Sequence, residues 1–565
     1  MQLGIIYLGV AVLIVYLIRY AFVYGRRTSN MPTGPPTLPF LGNLHQIPKS
    51  YTHIRFTEWA QQYGGLYTLK VGSGTMAVVT DRRIVRETID KKSTLYNHRP
   101  PSFVSHDLIT KGDHLLVMHY GTQWRTFRKL VHQHLTDAMV ENEHLPIVDA
   151  EAVQLVRDYM LYPEDHMLHP KRFSNSISNS IIFGIRTRSS KGEYMNRLYK
   201  LMEDWSAIME TGATPPVDIF PWLKYIPERF LGYYVSRARG IGSQMSTLYS
   251  DVLNRVTVRR EKDSSAQLST FMDRVLDAQE KNALPPNQLQ FIGGVLMEGG
   301  SDTSSSLILA IVQAMIHFPE VQRKAQAQID EVVGAKRSPQ WSDLERLPYI
   351  NMIVKEGHRW RPILPLCFPH ALGEGKQAGP GDSTLPVSLI LSKPFEQRNF
   401  DTDDAPDDWV DGKFLPKGTI VIINTWGIHM DPQTHDDPTS FIPERFADHE
   451  KLAPEYAAGD WEKRDHYGYG AGRRICPGMH LAERNMFLSI AKLLWAFRFE
   501  NSMRADGEGE EVNNMDPVEG YHQGFLYCAK PYGCRPIVRS EEHRETILRE
   551  FEEAEKMVFA KFEEG

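Results

Sequence analysis

The chain has 565 residues, a formal net charge of −6, 42% hydrophobic and 24% charged residues. That is an ordinary globular balance with ample length for a large core, and the acidic excess argues against a protein built to hold nucleic acid, which needs a basic face toward phosphate. Its four cysteines, Cys367, Cys476, Cys528 and Cys534, contain no C-x-x-C pair, which excludes a zinc ribbon or dithiol motif and suggests reduced thiols in a cytosol-facing body.

Residues 3–24 are apolar apart from Arg19, and Arg26 and Arg27 follow at once. Such a run is long enough for a helix to cross a bilayer, and the arginines hold its following end in the cytosol. No basic residue precedes it and no small-x-small site follows it, so residues 1–27 read as a retained transmembrane anchor rather than a cleaved signal. Pro32, Pro35, Pro36 and Pro39 then make 28–50 a stiff extended hinge. Residues 51–540 are expected to form one catalytic domain, and 541–565 a charged C-terminal helix. Residues 68–80 alternate and are valine-rich, as in a small sheet, whereas helical patterns dominate from Trp124 onward. The fold class expected is mainly α with a minor β-sheet component (α+β). Residues 289–316 form a strongly apolar run between Pro286 and Pro319. Its length admits a second membrane span, but Glu298, Asp302 and two glycine pairs favour a buried helix carrying a site.

The strongest chemical signal is Tyr469-Gly-Ala-Gly-Arg-Arg-Ile-Cys-Pro-Gly478, followed by a helical pattern over 479–495. A cysteine beside arginines and near a helix N-terminus is expected to have a lowered pKa, and a thiolate suits a borderline metal. The glycines allow the backbone to approach a flat cofactor. A buried structural cysteine is the bland alternative, and this context makes it a poor one.

The segment resembles the haem-binding loop of the cytochrome P-450 family, whose pattern is Phe-x-x-Gly-x-Arg-x-Cys-x-Gly. Tyr469, Gly472, Arg474, Cys476 and Gly478 occupy its positions, with Tyr469 replacing phenylalanine, so its hydroxyl needs a partner. The resemblance implies haem b with Cys476 as the axial iron ligand. It extends to Glu356-Gly-His-Arg359 and Phe441-Ile-Pro-Glu-Arg445-Phe446, which imply a Glu356–Arg359–Arg445 network that orders the cysteine loop. It also covers Gly299-Gly300-Ser-Asp302-Thr303, where Thr303 and Asp302 are implied to handle protons. The bland alternative there is a small-residue helix crossing with Thr303 bonded to its own helix. Trp124, Arg128, His370 and Arg474 are implied partners of the haem propionates.

The likeness is closest to membrane-bound fungal members that tailor secondary metabolites. It implies a monooxygenase in the endoplasmic reticulum membrane, single-pass, with its catalytic domain in the cytosol. The substrates implied are O2 and a hydrophobic small molecule, with no nucleic acid. Electrons are expected from NADPH-cytochrome P-450 reductase, with cytochrome b5 as a second candidate partner, docking near Arg125, Lys129 and Arg473. Two rivals remain: a reductase-independent haem-thiolate isomerase or dehydratase, and a non-catalytic haem sensor. Loops 103–116 and 520–526 are expected to face the substrate. Residues 373–402 lengthen the path from His370 to Pro416-Lys-Gly-Thr419, as a surface insertion or as an intron translated in frame.

Overall fold

The computed structural model describes residues 25–262, 268–373, 407–503, 512–522 and 524–564, with Tyr7 and Val15 as isolated positions. In chain order the elements that frame the site are helix α1 (Thr52–Tyr63), strands β1 (Leu66–Val71) and β2 (Gly74–Val79), and helices α2 (Thr122–His134), α3 (Leu145–Leu161), α4 (His169–Phe183), α5 (Glu193–Met209), α6 (Tyr234–Lys262), α7 (Pro286–His317), α8 (Pro319–Val332) and α9 (Pro348–Trp360). Strands β3 (His370–Ala371) and β4 (Ile420–Ile423) and helices α10 (Met479–Ala496) and α11 (Glu541–Met557) follow. The class is mainly helical with small sheets, as the sequence pattern predicts.

The largest sheet runs β1-β2-β4-β3. β1 pairs antiparallel with β2, Leu66 opposite Val79, and β2 pairs parallel with β4, Met76 opposite Ile420. β-branched residues in Gly-Thr-Met-Ala-Val-Val and Ile-Val-Ile-Ile suit strands buried on both faces. β3 closes the sheet, His370 opposite Val421, so the sheet edge delivers His370 to the site.

α7 is the axis of the helical layer and packs along α4, α6 and α10. Its central residues are buried in one apolar core with Phe173, Ile177, Tyr249 and Leu488. A side chain at position 300 would collide with Ser178 on α4, so glycine there permits the close crossing. The helix is continuous from Pro286 to His317, with Pro at its first turn where no N–H partner is lost. Among the described residues no single helix is long and apolar enough to cross a membrane; α7 and α8 pass that test only as a pair bent by 104°. The 289–316 run is therefore a core helix.

Two boundaries differ from the sequence reading. The proline-rich 28–50 segment is not a spacer but a part of the body. Its prolines leave carbonyls unpaired, and Arg27 donates to Gly34 O and Pro35 O and to Thr68 Oγ1 at 3.0 Å. Asn43 donates to Pro35 O and Pro36 O and accepts from Lys70 N at 2.8 Å, which stitches the segment to β1. At the other end α11 stops at Met557, not at the terminus, and its Ala554 packs with Phe559 of the following turn against Ala150 of α3. Glu563–Glu564 then pairs parallel with Ile185–Arg186. The proposed anchor, apart from Tyr7, Val15 and 25–27, and the anomalous stretch, apart from Gly373, lie outside the described residues.

Candidate active site

The 3-10 turn Gly472–Arg474 leads through Ile475, Cys476 and Pro477 into the N-terminus of α10. Gly472 has φ of +63°, and a side chain there would strike Ile89 O, so both conformation and space require glycine. Cys476 N donates to Tyr469 O at 2.9 Å, closing the loop that presents the sulfur. That sulfur faces a cavity of about 310 Å3, within the range of small-molecule sites. Thr303 and Gly299 of α7 line the same cavity, with Trp124 and Arg128 of α2, His370 of β3, and Leu115, Leu116, Phe525 and Leu526 from the two expected substrate loops.

The charge arrangement around Cys476 corrects the sequence reading. Arg473 and Arg474 flank it in sequence but serve other groups. Arg473 donates to Ser93 Oγ and Tyr120 Oη, and Arg474 to the carbonyls of Asn97 at 2.8 Å, Met118 at 2.8 Å and Leu115. Burial pushes the Cys476 thiol up, opposed by the Gly478 N–H and by Arg128, so the protein alone does not hold a low-pKa thiol. The cation that reaches the sulfur's field is Arg128, whose guanidinium also donates to Ile475 O.

Arg99, Arg128 and Arg474 all line the cavity, and burial lowers the pKa of each, Arg99 to about 10. Arg99 and Arg128 further depress Arg474, which stacks its guanidinium 4.6 Å over the Trp124 ring. Among the described residues Arg99 donates to the carbonyls of Leu116, Phe368 and Pro369. Glu298 is the sole carboxylate among the described residues lining the cavity. Buried Arg99 and half-buried Arg128 and Arg474, none with a carboxylate partner among the described residues, are costly unless an anionic guest completes them, and the two propionates of haem fit that need. Arginine suits them through its paired donors. The donor set therefore fits the cofactor: a sulfur on a glycine-rich turn and cations at the cavity wall. Arg99 was missed in the sequence because an isolated arginine in Asn97-His98-Arg99-Pro100 is indistinguishable from a surface one. His370 is buried neutral, its Nδ1 held 2.7 Å from Tyr96 O, so its part at the cavity is that of a hydrogen-bonding ring and not a cation.

Tyr469 finds the partner its hydroxyl needs, donating to Glu483 Oε1 at 2.8 Å. His358 and His466 stack beside it, ring centroids 4.2 Å apart and planes within 9°. With Glu483 these rings place three ligand-type atoms within 4.8 Å of one another. Parallel stacked imidazoles do not share an in-plane ligand point, however, and His466 Nδ1 already accepts from Gly468 N at 3.1 Å. The cluster supports the cysteine loop from behind.

Glu356 and Arg359 form a fully buried pair on α9, Nε to Oε2 at 2.6 Å and Nη2 to Oε1 at 2.7 Å. Arg359 also donates to Pro438 O, Ser440 O and His429 O, while Ile442 N donates to Glu356 Oε1 at 2.7 Å. Arg445 sits 3.6 Å from the same carboxylate and donates to Asp437 O. The three residues of the expected network are thus brought together.

Thr303 and Asp302 part company. Thr303 lines the cavity, with Oγ1 donating to Gly299 O at 2.7 Å, the hydrogen bond to its own helix that the bland reading describes. Asp302 lies off the cavity; burial raises its carboxyl pKa, opposed by Lys171 and reinforced by Glu298. Arg125, Lys129 and Arg473 are exposed on the side of α2 and the cysteine loop.

A glycine-rich cysteine turn and carboxylate-free arginines around one cavity, under a long core helix, define a haem-thiolate protein. The family model for cytochrome P-450 matches residues 32–375 and 402–514, and the chain belongs to that family. It is 66% identical over 556 residues to the cytochrome P-450 monooxygenase patH of Aspergillus clavatus, covering 98% of each chain. It is 65% identical to the monooxygenase acuC of Aspergillus aculeatus, covering 99% of this chain and 98% of that one. A solved zebra fish cytochrome P-450 structure with abiraterone superposes with a TM-score of 0.62 at 21% identity, over 86% of this chain and all of that one, which bears on the fold alone. The protein is a haem-thiolate monooxygenase that uses O2, a redox partner and a hydrophobic substrate. The family match skips 376–401, inside the anomalous stretch.

Proposed function

We propose that Cys476 is the iron ligand of this monooxygenase and that the cavity above it oxidises a C–H bond of a hydrophobic intermediate of fungal secondary metabolism. Its carrying observation is the convergence of Cys476, Thr303 and three arginines on one cavity. Bound haem supplies reductive activation of O2 and insertion of one oxygen atom, the other leaving as water. The chain's own residues do the rest. Arg99, Arg128 and Arg474 hold the propionates with Trp124 and His370 beside them. The Tyr469–Glu483 hydrogen bond and the Glu356–Arg359–Arg445 network keep the cysteine loop in place. Leu115, Leu116, Phe525 and Leu526 shape the guest and exclude water. Thr303 presents a hydroxyl at the cavity that can hold a proton, and Asp302, one residue away and half-buried, relays protons from the Lys171 side.

The electron donor proposed is NADPH-cytochrome P-450 reductase, with cytochrome b5 as a second donor. Exposed Arg125, Lys129 and Arg473 beside the cysteine loop support docking there through steering charge. Residues 1–27 are proposed to anchor the chain in the endoplasmic reticulum membrane with the body in the cytosol. An exposed apolar patch supports this: Trp222, Tyr225, Phe230 and Tyr233 lie open, and Phe220 beside them stacks on Phe40 at 5.4 Å, close to where the described body begins. Reconstitution with the reductase and NADPH, with the products of O2 consumption measured, tests the reading. Oxygenated product formed only with NADPH supports it. Product formed without NADPH indicates a reductase-independent isomerase or dehydratase, and ligand-induced spectral shifts without any product indicate a sensor.

A further inference from the structure

The cavity lining is largely apolar, and the acidic and basic side chains in it fall at two places: the arginine wall, which the propionates satisfy, and the carboxylate of Glu298. Glu298 and its partner His114 are almost completely buried, with 4% and 1% side-chain exposure. His114 Nε2 lies 3.2 Å from Glu298 Oε2, and its Nδ1 accepts from Leu116 N at 3.3 Å. That second bond fixes the neutral tautomer with the proton on Nε2, so the ring donates to the carboxylate. Tyr249 of α6 donates its hydroxyl to Glu298 Oε1.

This arrangement is built into the helix packing. A Cβ at position 294 would meet the Tyr249 ring at 2.4 Å, so Gly294 lets that ring lie against α7, and its hydroxyl arrives one helical turn further on. Phe291 meets the Tyr249 ring edge-on at 5.2 Å, and Trp205 of α5 packs 5.7 Å from His114. Two neutral donors leave a carboxylate with spare lone pairs on both oxygens. An ionised carboxylate facing an apolar space is costly until a further donor reaches it.

The charge of the guest follows from its surroundings. Three arginines balance two propionates and Glu298, and the single positive charge of ferric porphyrin balances the thiolate. With the cofactor in place the cavity is neutral, and an ammonium guest would leave one unpaired cation in a medium of low dielectric. A neutral donor fits.

We infer that Glu298, oriented by His114 and Tyr249, is the substrate-binding residue that selects a compact apolar substrate bearing a hydroxyl, which donates to the carboxylate while the rest of the molecule lies against the apolar wall. This rests on the haem reading of the cavity. A hydrogen bond to a buried charge that the hydrocarbon analogue lacks discriminates by roughly 10- to 100-fold.

The test uses the haem-loaded full chain and matched probes: cyclohexanol against methylcyclohexane, benzyl alcohol against ethylbenzene, and benzylamine as the cationic probe. Dissociation constants come from the Soret shift. The expected result is that each alcohol binds about tenfold or more tighter than its hydrocarbon, that Glu298→Gln removes most of this preference while hydrocarbon binding stays unchanged, and that Tyr249→Phe reduces it partly. The thiolate-type carbon monoxide spectrum is expected to persist in both variants. Loss of that spectrum from the unmutated chain would overturn the haem reading itself. With the spectrum intact, three results would each overturn the hydroxyl assignment alone: equal binding of alcohols and hydrocarbons, equal weakening of both in Glu298→Gln and Tyr249→Phe, or tightest binding of benzylamine.

Discussion

Glu356→Ala is the perturbation whose cost can be worked most fully from contacts. The carboxylate has no solvent exposure and receives two short hydrogen bonds from Arg359 and one from Ile442 N. Removing it leaves the Arg359 guanidinium, also unexposed, without a counter-charge, and orphans the Ile442 N–H. Breaking a buried pair from one side costs about 3–5 kcal/mol, and the orphaned N–H adds about 1 kcal/mol or more. Against a total stability of about 5–15 kcal/mol for a typical domain, that is from about a quarter to the whole. Arg359→Lys is expected to cost less but still to be deleterious, because three ammonium donors cannot replace a fork that serves two carboxylate oxygens and the carbonyls of Pro438, Ser440 and His429. The damage should reach the cofactor, since α9 also carries His358, which packs 4.9 Å from the Tyr469 ring of the cysteine loop. The assay is haem content from the reduced carbon monoxide spectrum, with the urea midpoint of tryptophan fluorescence on the same samples. Glu356→Ala with unmutated haem content and midpoint would refute the claim that this network orders the loop.

Four further outcomes are expected. Cys476→Ser should abolish the red-shifted Soret band of the reduced carbon monoxide complex and all oxygenation; a surviving band would assign the ligand elsewhere. Thr303→Ala should retain haem and substrate binding but release more peroxide per NADPH consumed, and unchanged coupling would leave Thr303 as a packing residue bonded to Gly299 O. Deletion of residues 1–27 should release much of the protein from microsomal membranes with the haem spectrum intact; since Arg27 ties 28–50 to β1, a cut placed after Arg27 should also lower the urea midpoint, whereas one placed before Gly25 should not. Stability should fall on acidification: burial holds His53 and His134 at about 3 and His358 at about 4, below the ordinary 6.5, so the unfolded chain takes up protons first. Their contribution is complete above pH 6.5 and is lost as pH falls toward 4 for His358 and toward 3 for His53 and His134, each loss reaching about 2 kcal/mol at pH 5; a urea midpoint equal at pH 7.5 and pH 5.0 would contradict this.

Much of the fold was legible because its signals are local. β-branched runs read as strands, and the apolar stretch between Pro286 and Pro319 read as one helix, because periodicity and proline act over a few residues. The site residues that carry strict spacing, Glu356 with Arg359 and Gly472 with Cys476, were equally legible, since i,i+3 on a helix or a glycine at positive φ forces one geometry. What spacing could not give is direction around an axis. Asp302 and Thr303 are adjacent, and neighbouring helical residues point about 100° apart, so the two cannot both face one cavity squarely. The helix turned Thr303 toward the cavity and left Asp302 off it. Glu298 was legible only as a charge that favours a buried helix carrying a site: an acid within an apolar helix has no motif of its own, and the arrival of His114 and Tyr249 from other elements gives it a role.

Charge was the least legible property, and Cys476 shows why. Sequence adjacency placed two arginines beside the sulfur and suggested a lowered pKa. A 3-10 turn advances about 120° per residue, so consecutive side chains on Gly472–Arg474 leave in different directions, and each arginine found acceptors away from the sulfur. The guanidinium that does act on Cys476 comes from Arg128, which reaches the carbonyl of Ile475 across 347 positions of sequence. Coulomb energy depends on distance in space and on local dielectric, neither of which a linear pattern encodes. The three arginines of the cavity wall come from the segment between β2 and α2, from α2 and from the cysteine loop, and they repel one another in the protein alone. That repulsion is a cost of folding which the propionates of haem relieve, so cofactor and fold are energetically coupled, and replacing Arg474 should weaken haem retention while easing the electrostatic strain of the haem-free chain.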